Sequence, residues 1–535
     1  MHRFLCERSS AACAMLCLLS ACAMLALISA VPLCAATPVT IKIKTQPPTT
    51  INAGFSGFNV PQPRNGVEYY DPKFLTAATP LNPGWLRFPG GTDSLDFEWT
   101  TGQTNIAWMD SLIDGNPPEV SGQSANILST SQILTFAKGG VLFSDFATFA
   151  QALGAWAVVC YNSYTDSPSD AAQMVQAAQT YGLKVEDWEL GNEAYQYPVI
   201  YPTPASYAAA SHNFFGKIRS ADNDARISLF PAGWYPGVAG CTLPQPCMPT
   251  WDSNLYEYSP LYWNAASVHI YPMVGEQSGQ DNMFALNGIL AYGSSDYMNN
   301  YIVPLVGTGT PIFITEFNCC SGYNNPFLPD LYNGIFLAEY IARVSTVPTV
   351  KGVGVDALYS ESTDNHGVIQ AVNSSTIVND VLIPLAQSGE YTDTATNPET
   401  QYQFYTSAPG LALQVANQAI NSGTIMWPTT VDGGPTVQIT GFDGQPIPAI
   451  YAQMYLGSNG SHYLLITNKS SQAQKVTIEI DGSVVQATFN VTYVSNSDPL
   501  ASNTAAAPTN VQIQTNTTSH NPIELAQYSV TTVVW

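Results

Sequence analysis

From about residue 51 to about residue 388, short β-rich runs alternate with helix-like stretches, and this alternation constrains the fold more than any other feature. The β-rich runs are Ala53–Val60, Gly84–Pro89, Ala155–Tyr161, Val185–Leu190, Ala225–Pro231, Ala265–Tyr271, Pro311–Phe317 and Val353–Tyr359. Helix-like segments separate several of them, at Ser144–Leu153, Ser169–Tyr181, Pro204–Ser220 and Leu331–Val344, with Thr376–Ser388 after the last. In the second segment Ser169 offers a capping side chain ahead of strong helix formers. Eight strands joined through helices is the count for a closed parallel barrel rather than an open sheet. An open doubly wound sheet would carry a glycine-rich phosphate loop after its first strand, which the lone pair Gly90-Gly91 does not supply. The expected fold is therefore α/β, a (β/α)8 TIM barrel.

After about residue 395 the pattern changes. Val437–Thr440, His462–Asn468, Lys475–Ile480, Ala487–Val494, Val511–Gln514 and Ser529–Trp535 are rich in β-branched and aromatic residues and are separated by Gly, Asn, Ser and Pro turns. That is the pattern of a C-terminal antiparallel β-sandwich. The strand-like Val39–Lys44 precedes the barrel and is a candidate extra strand of that sandwich. The expected division is a signal peptide at 1–36, an N-terminal strand segment at 37–50, the barrel at 51–390 and the sandwich at 391–535. Glycosylation-type sequons at Asn373, Asn459, Asn468, Asn490 and Asn516 are expected on surface loops.

Arg3 and Arg8, the apolar Ala11–Leu33 stretch and Cys34-Ala35-Ala36 before Thr37 read as a secretion signal, so a secreted or periplasmic protein is expected. The stretch is also long enough for a membrane anchor. Leu19-Ser20-Ala21-Cys22 resembles a lipoprotein box, but the apolar run behind it argues against its use. Net charge is −23 with only 10% charged residues and no basic run, which excludes nucleic acid as a partner. Of the cysteines outside the signal, Cys241 and Cys247 bracket a Pro-rich loop and suit a local disulfide. Cys319 and Cys320 are adjacent, and a vicinal disulfide, separate pairing and free thiols all remain open; Cys160 reads as a small buried hydrophobe. No Cys/His set has zinc spacing, so neither a metal nor another cofactor is expected.

Two apolar runs end in carboxylates: Trp188-Glu189-Leu190-Gly191-Asn192-Glu193 and Ile312-Phe313-Ile314-Thr315-Glu316. Catalytic groups of barrel enzymes sit at the C-terminal ends of strands. Two glutamates on different strands suit glycoside hydrolysis, in which one carboxyl donates a proton and the other attacks the sugar. Glu193 is expected to have a raised pKa, as an acid that later serves as base. Asn192 can bond a sugar hydroxyl, and Glu189 reads as a supporting group lower in the barrel. His269 and Tyr271 are two apart on the sixth strand and share a face. Tyr271 could donate to Glu316. Arg87, inside an apolar strand, needs a buried carboxylate partner, with Glu316 the first candidate. Aromatics in the long Thr92–Gly139 segment, Phe97, Trp99 and Trp108, are candidates for shaping a substrate cleft or for packing that segment.

Asn192-Glu193 on strand four, His269-x-Tyr271 on strand six and Glu316 on strand seven together resemble the clan of retaining (β/α)8 glycosidases, over roughly residues 51–390. Arg87-Phe88-Pro89-Gly90-Gly91, Trp99-x-x-Gly102 and the C-terminal sandwich resemble two groups in that clan, the heparanase and β-glucuronidase family first and the α-L-arabinofuranosidase family second. The resemblance implies Glu193 as acid/base, Glu316 as nucleophile, and Asn192 and Tyr271 in support. It also implies a saccharide or glycoconjugate substrate, with a β-linked glucuronide ahead of an α-L-arabinofuranoside. Two departures are visible. The uronate-holding Tyr-Gly-Gly segment of heparanase-like enzymes is here Cys319-Cys320-Ser321-Gly322-Tyr323-Asn324, which leaves Tyr323 as a shifted candidate. The sugar-stacking Trp that ends strand eight in many members is replaced by Leu358-Tyr359, which leaves Tyr359 as its candidate substitute. A non-catalytic carbohydrate-binding protein and a transglycosidase are the rival readings. Retention implies carboxyl groups about 5–5.5 Å apart, inversion about 6.5–9.5 Å.

Overall fold

In the computed structural model the described residues are 38–60, 69, 71–95, 97–104, 142–196, 200–233, 249–272, 279–320, 325–361, 365–373, 402–440 and 444–535. Parallel strands β1 (Ser56–Asn59), β2 (Trp85–Phe88), β3 (Trp156–Tyr161), β4 (Val185–Leu190), β5 (Ile227–Leu229), β6 (Ala265–Ile270), β7 (Ile312–Phe317) and β8 (Val350–Asp356) close into a barrel in chain order. A helix follows each strand in turn: α1 (Pro72–Ala78), α2 (Phe143–Leu153), α3 (Pro168–Tyr181), α4 (Pro204–Ala221), α5 (Pro249–Tyr256), α6 (Gly279–Tyr292), α7 (Leu331–Val344) and α8 (Ala408–Ile420). The cap of α3 is Ser167, which forms a reciprocal capping box with Asp170, so the cap lies two residues earlier than the Ser169 reading.

Two sequence expectations shift. β8 begins at Val350 rather than Val353 and ends at Asp356. Gly352 and Gly354 weaken its strand signal, yet they are there for packing. Trp85 fills the barrel interior, and a Cβ on Gly57, Gly352 or Gly354 would come within 2.5–2.8 Å of its ring. Trp85 stacks on Trp156 at 5.2 Å, and Trp156 meets Phe313 edge-on, so aromatic rings plug the barrel below the site. Tyr359 consequently lies beyond β8. It opens a three-stranded sheet with Ile369–Asn373 and Tyr402–Thr406, and its ring packs edge-on against Phe74 of α1 at 5.4 Å. The second shift is α8, which falls within the stretch read as all sandwich and packs against α7. The expected helix at 376–388 lies outside the described residues, as do the signal segment, Trp108, Cys241 and Cys247.

Most of the C-terminal strands form two sheets packed face to face. Val39–Ile43 pairs antiparallel with Thr429–Asp432 and parallel with Gln474–Ile480, in a five-stranded sheet. The seven-stranded sheet contains Ile450–Gly457, His462–Asn468, Ser529–Val534 and Phe489–Ser495. Alternation decides what each of its faces does. Ile450, Ala452, Met454, Leu464, Ile466 and Val533 point into the sandwich, while Tyr455, Leu465, Val494 and Val530 join the apolar cluster of the barrel helices. A buried polar tie reinforces that junction. Glu339 of α7 accepts from Lys469 (2.5 Å) and Thr467 (2.5 Å), and Arg343 bonds it from one turn on while lying over the Tyr451 ring. Asn468 is buried, its amide donating to the carbonyls of Gln472 and Ala526, so that sequon is not on a surface loop.

Candidate active site

The C-terminal strand ends converge on one buried hydrogen-bond network. β4 runs out through Gly191 (φ +81°), Asn192 and Glu193, whose φ of +46° is the left-handed region. A non-glycine residue there costs on the order of 1 kcal/mol or more, and the surroundings must hold it. They do: the Gln196 amide donates to the Glu193 carbonyl at 2.7 Å, while Tyr195 Oη (2.9 Å) and Gln196 Nε2 (2.5 Å) donate to its carboxylate.

Glu316 reaches the site through a break in β7. Strict alternation would turn Glu316 outward with Ile312 and Ile314. The pairing with β6 instead slips between Val268 and His269, so that Val268 faces Ile314 but His269 faces Glu316. The extra residue turns the Glu316 side chain into the barrel mouth, a recognised use of a β-bulge.

Arg87 of β2 ties the two strand ends together through Glu316 and Asn192. Its wholly buried guanidinium donates from Nε to Glu189 (2.5 Å), from Nη1 to Glu316 (2.7 Å) and Asn59 (3.3 Å), and from Nη2 to Asn192 (2.8 Å). Burial opposes its charge, but Glu189, Cys160 and Glu316 outweigh that and hold its pKa well above the ordinary arginine value. From β6, His269 Nδ1 lies 2.9 Å from Glu193 and 3.4 Å from Glu316. Tyr271 Oη is 2.9 Å from Glu316 and 2.8 Å from Asp356.

Of the residues expected here, the structure thus brings together Glu193, Glu316, Asn192, Tyr271, His269 and Arg87, with Glu189 as a second Arg87 partner. It does not bring in Tyr359, which packs on α1, and Tyr323 lies outside the described residues. Sequence reading missed Asp356, Asn59, Tyr195 and Gln196. Tyr195 and Gln196 could have been found from their position two and three residues after Glu193. Asp356 was hidden by the three-residue error in β8. Cys160 is buried as expected, with its thiol 3.1 Å from the Gly191 carbonyl.

The expectation for Glu193 is corrected in one respect. Burial does push its carboxyl up, but the hydrogen bond and charge of His269, then Tyr195 and Arg87, more than reverse this and leave it below the ordinary value. His269 moves oppositely: burial lowers it, and Glu316 and Glu193 together raise it above the usual histidine value. Each of the two therefore favours the charged form of the other. One oxygen or nitrogen from each of Glu193, His269 and Glu316 lies within 4.8 Å of the others, a spacing that could also hold a cation. The chemistry fits a cation poorly, because the Arg87 guanidinium already sits 2.7 Å from Glu316 and Nδ1 is turned to both carboxylates. Beyond Glu316, Cys319 and Cys320 form a buried vicinal disulfide, and the Cys320 carbonyl contacts His366 Nε2 at 2.9 Å.

Below the network, Asp187 is fully buried, accepts from Ser228 Oγ at 2.6 Å, and is pushed by that burial from 3.8 to about 8. The native state then binds a proton that the unfolded chain releases, so this group's stabilisation is complete at low pH and is lost as pH rises from about 4 to about 8. Asp187→Asn is expected to be the more stable protein at pH 9, by on the order of 1–3 kcal/mol, with the gap closing toward pH 5. Urea melts of both proteins across that range would show it; a gap independent of pH would contradict a neutral Asp187.

No family model matches the sequence, and no curated protein matches it. Solved structures do. An α-L-arabinofuranosidase from Thermotoga maritima in complex with arabinose superimposes with a TM-score of 0.63 at 16% identity, over 93% of this chain and 99% of that one. The fold is that of these glycoside hydrolases. A family 51 arabinofuranosidase from Xanthomonas axonopodis pv. citri gives 0.61 at 12% identity, over 93% and 99% of the two chains. A family 44 xyloglucanase from Paenibacillus polymyxa gives 0.56 at 13%, with the same coverage. Each is a likeness of architecture, barrel and β-rich C-terminal part together. It lends the β-glucuronidase expectation no support.

Proposed function

We propose that the protein is a retaining glycoside hydrolase in which Glu316 is the nucleophile and Glu193 the acid/base. The observation that carries this is the meeting of two strand-end carboxylates, from β4 and β7, with oxygens within 4.8 Å of each other. That closest approach suits the about 5–5.5 Å separation of retaining sites and leaves little room for the water that inversion requires. Arg87 bonds one oxygen of Glu316 and aims it, while Tyr271 bonds the other. Glu316 attacks the anomeric carbon as Glu193 protonates the departing oxygen, and the proton reaches Glu193 from His269 Nδ1 across 2.9 Å. As the ester forms, Glu316 loses the charge that most favours a proton on His269, so the transfer and the attack assist each other. Water then attacks the ester, gives its proton to Glu193, and the His269–Glu193 pair is restored.

For the substrate, we place an α-L-arabinofuranoside ahead of a β-glucuronide. The arabinofuranosidase likeness supports the first. Against the second, Arg87 is the arginine that meets Glu316 among the described residues, and its donors are committed to Glu189, Glu316, Asn59 and Asn192. The test is turnover of nitrophenyl α-L-arabinofuranoside and β-D-glucuronide by the purified protein, with proton NMR of the first sugar released. Retained configuration at the anomeric carbon is expected. An inverted first product, or binding of sugars without turnover, would refute the reading.

A further inference from the structure

Cys319 and Cys320 follow closely on Glu316, are wholly buried, and are joined by a disulfide with a sequence separation of 1. A disulfide stabilises a protein mainly by closing a loop in the unfolded chain, and a loop of two adjacent residues closes almost nothing. Its effect must be local. The bond shuts a small covalent ring around the Cys319–Cys320 peptide, which fixes both side chains and the direction of the Cys320 carbonyl.

That ring is bonded on both sides to groups around Tyr271. On one side the Asn318 side-chain oxygen accepts from the Cys319 N–H (2.8 Å) and from Asn333 Nδ2 (3.1 Å), and the Asn318 amide donates to the Asp356 carbonyl (2.6 Å). On the other the Cys320 carbonyl lies 2.9 Å from His366 Nε2, and a carbonyl only accepts, so Nε2 carries a proton. The buried His366 ring stands edge-on to Tyr271, with centroids 6.2 Å apart. Tyr271 Oη in turn lies 2.9 Å from Glu316. We propose that the Cys319–Cys320 disulfide is a redox-sensitive positioning element: it holds the Cys320 carbonyl for His366, His366 steadies the Tyr271 ring, and Tyr271 aims Glu316. Turnover then depends on the bond, while the fold does not.

Reduction breaks the S–S bond, and two electrons and two protons convert the sulfurs to two thiols. A phosphine supplies the electrons and, with one water, leaves as its oxide. The thiols remain small apolar groups in the core, but the peptide between them is free to turn its carbonyl away from His366. Both sulfurs are buried, so the reduced protein is prepared by refolding with the phosphine present. The effect on turnover rests on Glu316 being the nucleophile; the hold on His366 does not.

Wild type refolded with and without phosphine is compared with the double variant Cys319→Ala/Cys320→Ala, which needs no refolding. Reduced wild type and the double variant should each lose at least about tenfold in kcat, with KM within about threefold and the thermal midpoint within about 3 °C of oxidised wild type. Glutathione disulfide, which takes up the two thiol hydrogens and leaves as two glutathiones, should restore reduced wild type and leave the double variant unchanged. In spectra of protein labelled with nitrogen-15 histidine, the His366 Nε2–H signal, assigned with His366→Gln, should shift or broaden on reduction. Full activity after reduction, a loss confined to KM, a further loss when the double variant is refolded with phosphine, or an unmoved His366 signal would overturn the proposal. If oxidised wild type turns over no glycoside, the hydrolase reading fails, and the His366 signal still decides whether the disulfide holds the Cys320 carbonyl.

Discussion

Glu316→Gln is expected to fold normally and to lose at least about 10⁴-fold in kcat, roughly 5.5 kcal/mol of transition-state stabilisation. The fold should survive because Arg87 keeps Glu189 as a buried counter-charge when the Glu316 charge is removed. Activity should not, because the amide cannot form the glycosyl ester. Glu316→Ala opens a space beside the anomeric carbon, so added azide should restore part of the rate and give an azide product of opposite anomeric configuration. Glu193→Gln should behave differently. Loss of the acid/base costs about 10²–10⁴-fold on sugars with poor leaving groups. On nitrophenyl glycosides the first step needs little acid help, so glycosyl-enzyme should accumulate and be visible by intact-protein mass spectrometry. Within-tenfold activity in Glu316→Ala would move the nucleophile elsewhere, with Glu189 and Asp356 the next carboxyls to test.

Arg87→Met should be the most damaging single change to stability at the site. The guanidinium is wholly buried, and so is its partner Glu189. Removing one member of such a pair strands the other charge in the interior at a cost of about 3–5 kcal/mol. Glu316 and Asn192 lose their orienting donors in the same step. Denaturant melts should show the loss, and adding Glu189→Gln should recover much of it without recovering turnover. That separation distinguishes the two functions of Arg87, because the stability deficit belongs to Glu189 and the catalytic deficit to Glu316. A destabilisation below about 1 kcal/mol would mean that Glu189 finds its proton or its solvation elsewhere.

Much of the site was legible because strand-end chemistry is local. Leu190-Gly191-Asn192-Glu193 and the Ile312–Glu316 run each announce a buried strand ending in an acid, and His269-x-Tyr271 follows from alternation alone. Asp356 escaped because the glycines of β8 weaken its strand signal, and their reason is Trp85, far away in sequence, whose ring occupies the space their side chains would need. Tyr359 was placed at the site by the same error in register. α8 was passed over because it lies between β-rich runs, although Ala408–Ile420 is apolar enough to pack on α7.

The amino-acid sequence by itself determined the order of the eight barrel strands, the β-rich C-terminal part, and the residue types at each strand end, since propensity and alternation act over a few neighbours. The tertiary structure decided three things that no short window contains. A bulge against β6 turns Glu316 into the barrel, where simple alternation would have turned it out. Contact with His269 reverses the direction in which burial alone would move Glu193. Hydrogen bonds drawn from β1, β2, β6, β7 and β8 join Asn59, Arg87, Tyr271, Glu316 and Asp356. Charge and proton position depend on distances of about 3 Å between groups far apart in the chain, and only closure of the barrel creates those distances.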